Sequence, residues 1–436
     1  MAPSPEIMKS VEQLDYRVTV GDVAANAGLE INLAQQQLLA LAADAGGHLQ
    51  VADSGDIVYL FPKNFRSILR NKYWKIALKE WWEKVWKILF YLIRISFGIV
   101  LIASIILMAI AITLILIAIS SNSDSDSGSS SGGSRNSSRG GTSFFFFNFS
   151  DLFSPFYYNY GDSYRQNRNN SGEKNQLNFL EAVFSFLFGD GLPNPDLEER
   201  RWQEIGTVIK NNRGAIVAEQ IAPYLDDISA SSQEYEDYII PVLARFNGYP
   251  EVAPDGGIIY YFPELQVTAS KRQIQAKSSY LRESLWKFSQ AGSGQIMLAI
   301  GLGSVNIILA LVLGHLLTGE IADQLGGLVA FVDSIYLLLL GYGIAFLVIP
   351  LIRNFWIQWR NEAIKERNKQ RERRAMELNR ADENLRRKIE YASQFAAQKV
   401  IGNEDITYST ETDLLEQEAQ RSDKIDEEWR RRLERN

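Results

Sequence analysis

The chain of 436 residues has no cysteine and only two histidines, His48 and His315. Without thiols there is no disulfide, no thiolate metal site and no cysteine nucleophile, and two distant imidazoles make no His-rich metal centre. Met1–Gln50 lacks the basic start and apolar core of a secretory signal, so the first apolar span is expected to target the chain itself. No Ser-His-Asp order, Walker loop, dinucleotide fingerprint or zinc helix appears. These absences predict a non-enzymatic protein with no cofactor and no metal. A mean hydropathy of -0.13 argues against a transporter packed with spans.

What the sequence does contain is a repeat. Gly47–Pro62 (GHLQVADSGDIVYLFP) and Gly248–Pro263 (GYPEVAPDGGIIYYFP) align without a gap, with half of the sixteen positions identical. Each copy reads as strand, turn, strand: Leu49–Ala52 and Ile57–Phe61 around Asp53-Ser54-Gly55, then Val252 and Ile258–Phe262 around Pro254-Asp255-Gly256-Gly257. Helices precede both. Val20–Ala27 and a helix capped by Asn32 and running through Ala45 come before the first hairpin. Arg200–Asn211, Ile216–Leu225 and Glu234–Phe246 come before the second. The expected fold class is mainly α with small β-wings: two winged-helix-like modules, residues 1–62 and 177–268, joined to transmembrane helices and a charged C-terminal helix.

Between the modules, residues 63–95 place Trp74, Trp81, Trp82 and Trp86 among lysines, the composition of a helix anchored at a membrane interface. Residues 96–119 form an apolar run long enough to cross a bilayer. Residues 120–176 are Ser/Gly-rich and then aromatic-rich, and read as a disordered linker. After a basic stretch (269–294), residues 295–352 form a hairpin of two spans, Gln295–Leu317 and Gly327–Ile352. Basic flanks place both hairpin ends, the first module and the C-terminus in the cytoplasm or stroma. The same rule leaves the side of the second module open, because a single first span places it opposite and the hairpin places it inside. Residues 353–403 read as a charged helical arm, either solvated or forming a coiled-coil seam, and 404–436 as a poorly ordered acidic tail.

The modules are acidic. Residues 1–62 carry two basic against eight acidic residues, and 196–263 carry five against twelve. DNA binding needs Lys and Arg to neutralise phosphates, so nucleic acid is not an expected partner. Membrane lipid and protein partners are, with a homo-oligomer as a further option. Candidate protein contacts are Glu234, Glu236 and Asp237, with the wing aromatics Tyr59 and Tyr260, which equally suit the core. Intramembrane Asp333 and Asn306 support a rival reading as a small ion or proton transporter or channel subunit; a membrane-bound transcription regulator is a third. Gly301, Gly303, Gly341 and Gly343 suit close helix contact.

Phe184–Trp202 (FSFLFGDGLPNPDLEERRW) is the most distinctive stretch. It reads as a stiff linker and a helix start, or as a hard-cation site using Asp190, Asp196, Glu198 and Glu199. With IAPYLD and YYFPEL downstream, it resembles an uncharacterised membrane-protein family of cyanobacteria and plant chloroplasts, one plant member of which bears an iron–sulfur cluster biosynthesis label. A chain without cysteine has no thiolate to hold a cluster. The resemblance implies a photosynthetic membrane: thylakoid, inner envelope or plasma membrane.

Overall fold

A computed structural model describes residues 4–72, 74–123, 178–226, 228, 235–254, 256–270, 277–317, 325–419, 422, 429–430 and 433. Its helices are α1 (Pro5–Gln13), α2 (Val20–Ala27), α3 (Ile31–Ala45), α4 (Phe65–Lys72), α5 (Trp74–Ser123), α6 (Phe179–Phe188), α7 (Leu197–Asn211), α8 (Ile240–Phe246), α9 (Ser293–Leu316), α10 (Gly327–Ser334), α11 (Tyr336–Asn379) and α12 (Glu383–Gln394). The strands are β1 (Arg17–Val18), β2 (His48–Ala52), β3 (Ile57–Leu60), β4 (Ala215–Ile216), β5 (Tyr249–Val252), β6 (Ile258–Tyr261), β7 (Val267–Thr268), β8 (Lys399–Val400) and β9 (Ile406–Ser409). The protein is therefore mainly helical with small sheets, in two compact units.

The first unit draws on residues 1–89, 191–287 and 355–436. Of the three sheets among its described residues, two share an order: β1-β3-β2 and β4-β6-β5 are antiparallel, with the strand latest in sequence of each trio in the middle. One apolar core runs through both modules, from Ile7, Leu38 and Tyr59 to Ile205, Phe246 and Phe262. Helices α2 and α7 meet where a Cβ on Gly206 would stand 2.8 Å from the Ala25 Cα, closer than real contacts allow. Only glycine lets these two helices approach so far.

The second unit draws on residues 90–190 and 288–354. Among the described residues three helices are long and apolar enough to cross a membrane: α5, α9 and α11. In this unit they pack in two layers. Leu101 and Ile105 of α5 meet Phe186 of α6, Leu302 of α9 and Phe346 of α11; further along, Met108 and Ile115 meet Leu313, Val332 and Leu339. Gly303 and Gly343 serve the expected close contacts, facing Phe346 and Asn306. Gly301 and Gly341 have nothing near.

Several expectations are corrected. The Trp-rich segment and the first span are one helix of 50 residues from Trp74 to Ser123, which does not turn back; no proline interrupts it. The third span breaks at Ile335, beside a Ser334 hydroxyl that donates to the Phe331 carbonyl and competes with the helix ladder. Residues 216–225 are not a helix. Ile216 pairs with Tyr260, and two 3₁₀ turns follow at Ala218–Gln220 and Ala222–Tyr224. Glu30, not Asn32, precedes α3 as its cap residue. The arm is not wholly solvated: α12 packs Leu385, Ile389 and Ala392 against Val217 and Ile259. The tail contributes β9, which pairs with β2. The linker lies outside the described residues apart from its first four, which end α5.

Candidate functional site

The acidic side of the second module is built around Lys388, which is 8% exposed. An α12 residue, it stands on the same face as Leu385 and Ala392. Its ammonium lies 2.9 Å from Glu219 Oε1 and 2.5 Å from Glu236 Oε1. Glu236 has a left-handed backbone (φ 54°), which non-glycine residues seldom adopt. Its other oxygen accepts from the Tyr260 hydroxyl at 2.9 Å. Burial, then the Glu236 charge and hydrogen bond, push the Tyr260 phenol far above its ordinary range. The Tyr238 phenol rises for the same first reason, helped by Glu219 and Glu236. A cleft of 610 Å³ opens alongside, lined by Glu219, Tyr238, Arg374 and Leu385 together with the exposed Arg373 and Arg380.

This geometry sorts the expected contact residues. Glu236 is consumed by Lys388 and Tyr260. Asp237 is exposed, and Glu234 lies outside the described residues. Tyr260 and Tyr59 are buried core residues rather than exposed wing contacts; burial also raises the Tyr59 phenol.

A second charged centre fixes the arm. Arg371 is 1% exposed and bonds Asp226 through Nε (2.8 Å), the Leu281 carbonyl through Nη1 (2.9 Å) and Glu283 Oε1 through Nη2 (2.8 Å). Glu283 also takes a two-point fork from Arg367 at 2.8 and 2.7 Å. Two asparagines of α11 clasp the extended segment before α9 by its backbone. Asn368 holds the amide and carbonyl of Glu283, and Asn361 those of Trp286. Seven helical residues rise about 10.5 Å and three extended residues about 10 Å, which is why the spacings match.

The FGDG stretch closes one end of the apolar unit. Asp190 accepts from Arg94 of α5 (2.7 Å), from the Ser185 hydroxyl of α6 (2.6 Å) and from the Gln290 amide before α9 (2.8 Å). Arg353 of α11 donates to the Phe186 and Phe288 carbonyls at 2.8 and 2.6 Å. A Cβ on Gly189 would stand 2.5 Å from the Arg353 guanidinium, and φ there is +82°. In the first unit, Asp196 pairs with Arg200 and Glu198 with Arg201. Each motif carboxylate just named therefore has a protein donor.

Within the apolar unit Asn306 is fully buried and donates to the Ser104 hydroxyl at 2.5 Å. Asp333 is exposed on α10 and makes no hydrogen bond with Asn306. Trp74, Trp81, Trp82 and Trp86 are all more than half exposed along α5. Sequence reasoning passed over Lys388, Arg371 and Asp22. For Lys388 a signal existed: a lysine inside the stripe Leu385, Ile389, Ala392, Phe395 implies a buried ion partner.

No family model matches this chain, and no solved structure resembles it. It is 40% identical to an uncharacterised chloroplastic protein of Arabidopsis thaliana, At5g03900, over an alignment taking in 98% of this chain and 81% of the plant one. The chain belongs to the family of that chloroplastic plant protein.

Proposed function

We propose that the protein is a non-enzymatic, multi-pass membrane scaffold or assembly factor whose two acidic, winged-helix-like modules hold protein partners at the surface of a photosynthetic membrane. The observation that carries this is that both acidic modules close around one apolar core in the first unit, with the Asp237 carboxylate left exposed. The basic flanks of the spans assign both modules and the arm to the cytoplasmic or stromal side. The chloroplastic relative and the resemblance to cyanobacterial proteins support a thylakoid, inner-envelope or plasma-membrane address.

The absence of cysteine makes the orientation directly measurable. Single cysteines at Ser54, Gly256 and Ser393 are expected to react with an impermeant maleimide from the same side of sealed vesicles, and one at Ser123 only from the other. Labelling of Gly256→Cys from the Ser123 side sinks the arrangement.

Partner binding is tested by crosslinking and co-purification of tagged protein from native membranes. Asp237→Lys is expected to release a stoichiometric partner and leave the melting curve unchanged. Glu236→Lys is no clean test. It sets a second ammonium against Lys388 and is expected to destabilise the first unit by about 3 kcal/mol or more. If Asp237→Lys and crosslinks at residues 1–62 and 196–263 show no partner, the scaffold reading falls.

A further inference from the structure

We infer that the outer edge of β2 is a strand-acceptor site, closed here by the chain's own C-terminal strand and suited to an extended partner segment of the same chemistry. This deepens the protein-binding reading and rests on it. Strand β9 lies antiparallel on β2, with Gln50 opposite Ser409 and Val51 opposite Tyr408, before the register slips at Ala52. Leu49 faces outward with both backbone groups. Its carbonyl accepts the Thr410 amide and its amide donates to the Thr410 hydroxyl, each at 2.9 Å. The Asp53 amide donates to the Asp405 carbonyl at 2.9 Å.

Beyond the backbone, the occupant adds a Thr407 hydroxyl that donates to the Asp53 carboxylate and one apolar contact. Ile406 packs with Ala52, Val58 and Ile401, while Tyr408, Leu414 and Leu415 are exposed. Main-chain hydrogen bonds carry the attachment, and any extended segment offers those. The second sheet shows the contrast. Its matching edge strand is β5, and Pro250 faces Tyr260 as Leu49 faces Tyr59. Proline has no N–H to donate outward, and it is a common means of blunting a sheet edge. Among the described residues no strand pairs with that edge. One of two equivalent edges accepts a strand, and a single residue bars the other. The fitting segment has Ser or Thr at the Thr410 position, an apolar residue four places earlier and no intervening proline.

The test uses full-length protein in detergent and a fluorescent peptide of residues 403–412. Wild-type protein, its edge filled, is expected to bind the peptide negligibly. Tyr408→Pro with Thr410→Pro, which removes two donors from β9, is expected to give saturable binding. Adding Leu49→Pro, copying the second sheet, is expected to abolish it. A released variant with a wild-type melt and no binding overturns the proposal while leaving the Asp237 result untouched. Should the released variant not fold, hydrogen exchange on the wild type decides. The Tyr408 and Thr410 amides must exchange at least about tenfold faster than the Val58 amide of the same sheet. Equal rates make β9 an integral strand and refute the site.

Discussion

Replacing Arg371 by alanine is expected to lower the stability of the first unit by about 3–5 kcal/mol, among the largest effects of any single substitution in this chain. The guanidinium is buried and serves three groups at once: Asp226, Glu283 and the Leu281 carbonyl. Removing it leaves the buried Glu283, only 4% exposed, to Arg367 alone, takes one of two arginines from Asp226 and orphans the Leu281 carbonyl. Lysine recovers little, because one ammonium cannot span the fork that a planar guanidinium fills. Urea denaturation followed by tryptophan fluorescence measures the change, since Trp286 and Trp356 stand 5.1 Å apart in the same unit. A loss below about 1 kcal/mol would place the network among weak surface pairs.

The same centre sets an acid limit. Burial alone would raise the Glu283 carboxyl, but the hydrogen bond from Arg367 and the charges of Arg371 and Arg367 outweigh it and hold it below its ordinary range. A depressed folded-state value adds stability above the unfolded value, near pH 4.3, that is lost as pH falls through the folded one. Wild-type protein should therefore lose stability as pH drops below about 4, and Glu283→Gln should flatten that part of the curve while lowering the neutral plateau. An unchanged slope in Glu283→Gln would assign the acid transition to other carboxylates.

Asp22→Ala is the second large expected loss, again about 3–5 kcal/mol. The side chain is fully buried and both oxygens are in use. Lys210 and the Thr268 hydroxyl (2.9 Å) reach Oδ1, while the Thr19 amide (3.2 Å) and the Ala269 amide (3.0 Å) reach Oδ2. Asp22 thus caps α2 and binds α7 and β7 through the same carboxylate. Asp22→Asn keeps the shape but turns an NH₂ toward donors whichever way it lies, either the two backbone amides or the Lys210 ammonium, so it should cost about 2–3 kcal/mol rather than nothing. Calorimetry of the three proteins checks the order wild type, Asn, Ala. An asparagine variant as stable as wild type would show that the charge on Asp22 is not needed.

Much of the local structure was legible in the residues. The aligned hairpins announced β2–β3 and β5–β6 through their alternation and turn residues, and α2 spans the expected Val20–Ala27, ended by Gly28 and capped by a Thr19 that the reading passed over. The apolar runs announced α5 and α9, because length and hydropathy are summed along the chain. The errors share a cause. Residues 216–225 have helical spacing, yet the backbone at Ile216 is captured by β6, and tertiary pairing overrides propensity. The tail looked disordered because its partner, β2, lies more than 350 residues away. Tyr59 and Glu236 looked available because their burial and pairing depend on elements that only folding brings near.

By itself, then, the sequence determined where the chain turns, which stretches are apolar enough for a bilayer, and that the modules are acidic: all are sums over neighbouring residues. Only the tertiary structure decided that both modules share a core, that Lys388 neutralises part of the acidic face, that FGDG closes the apolar unit and that β9 covers one sheet edge. Those outcomes depend on contacts between distant segments, whose energies no local pattern records.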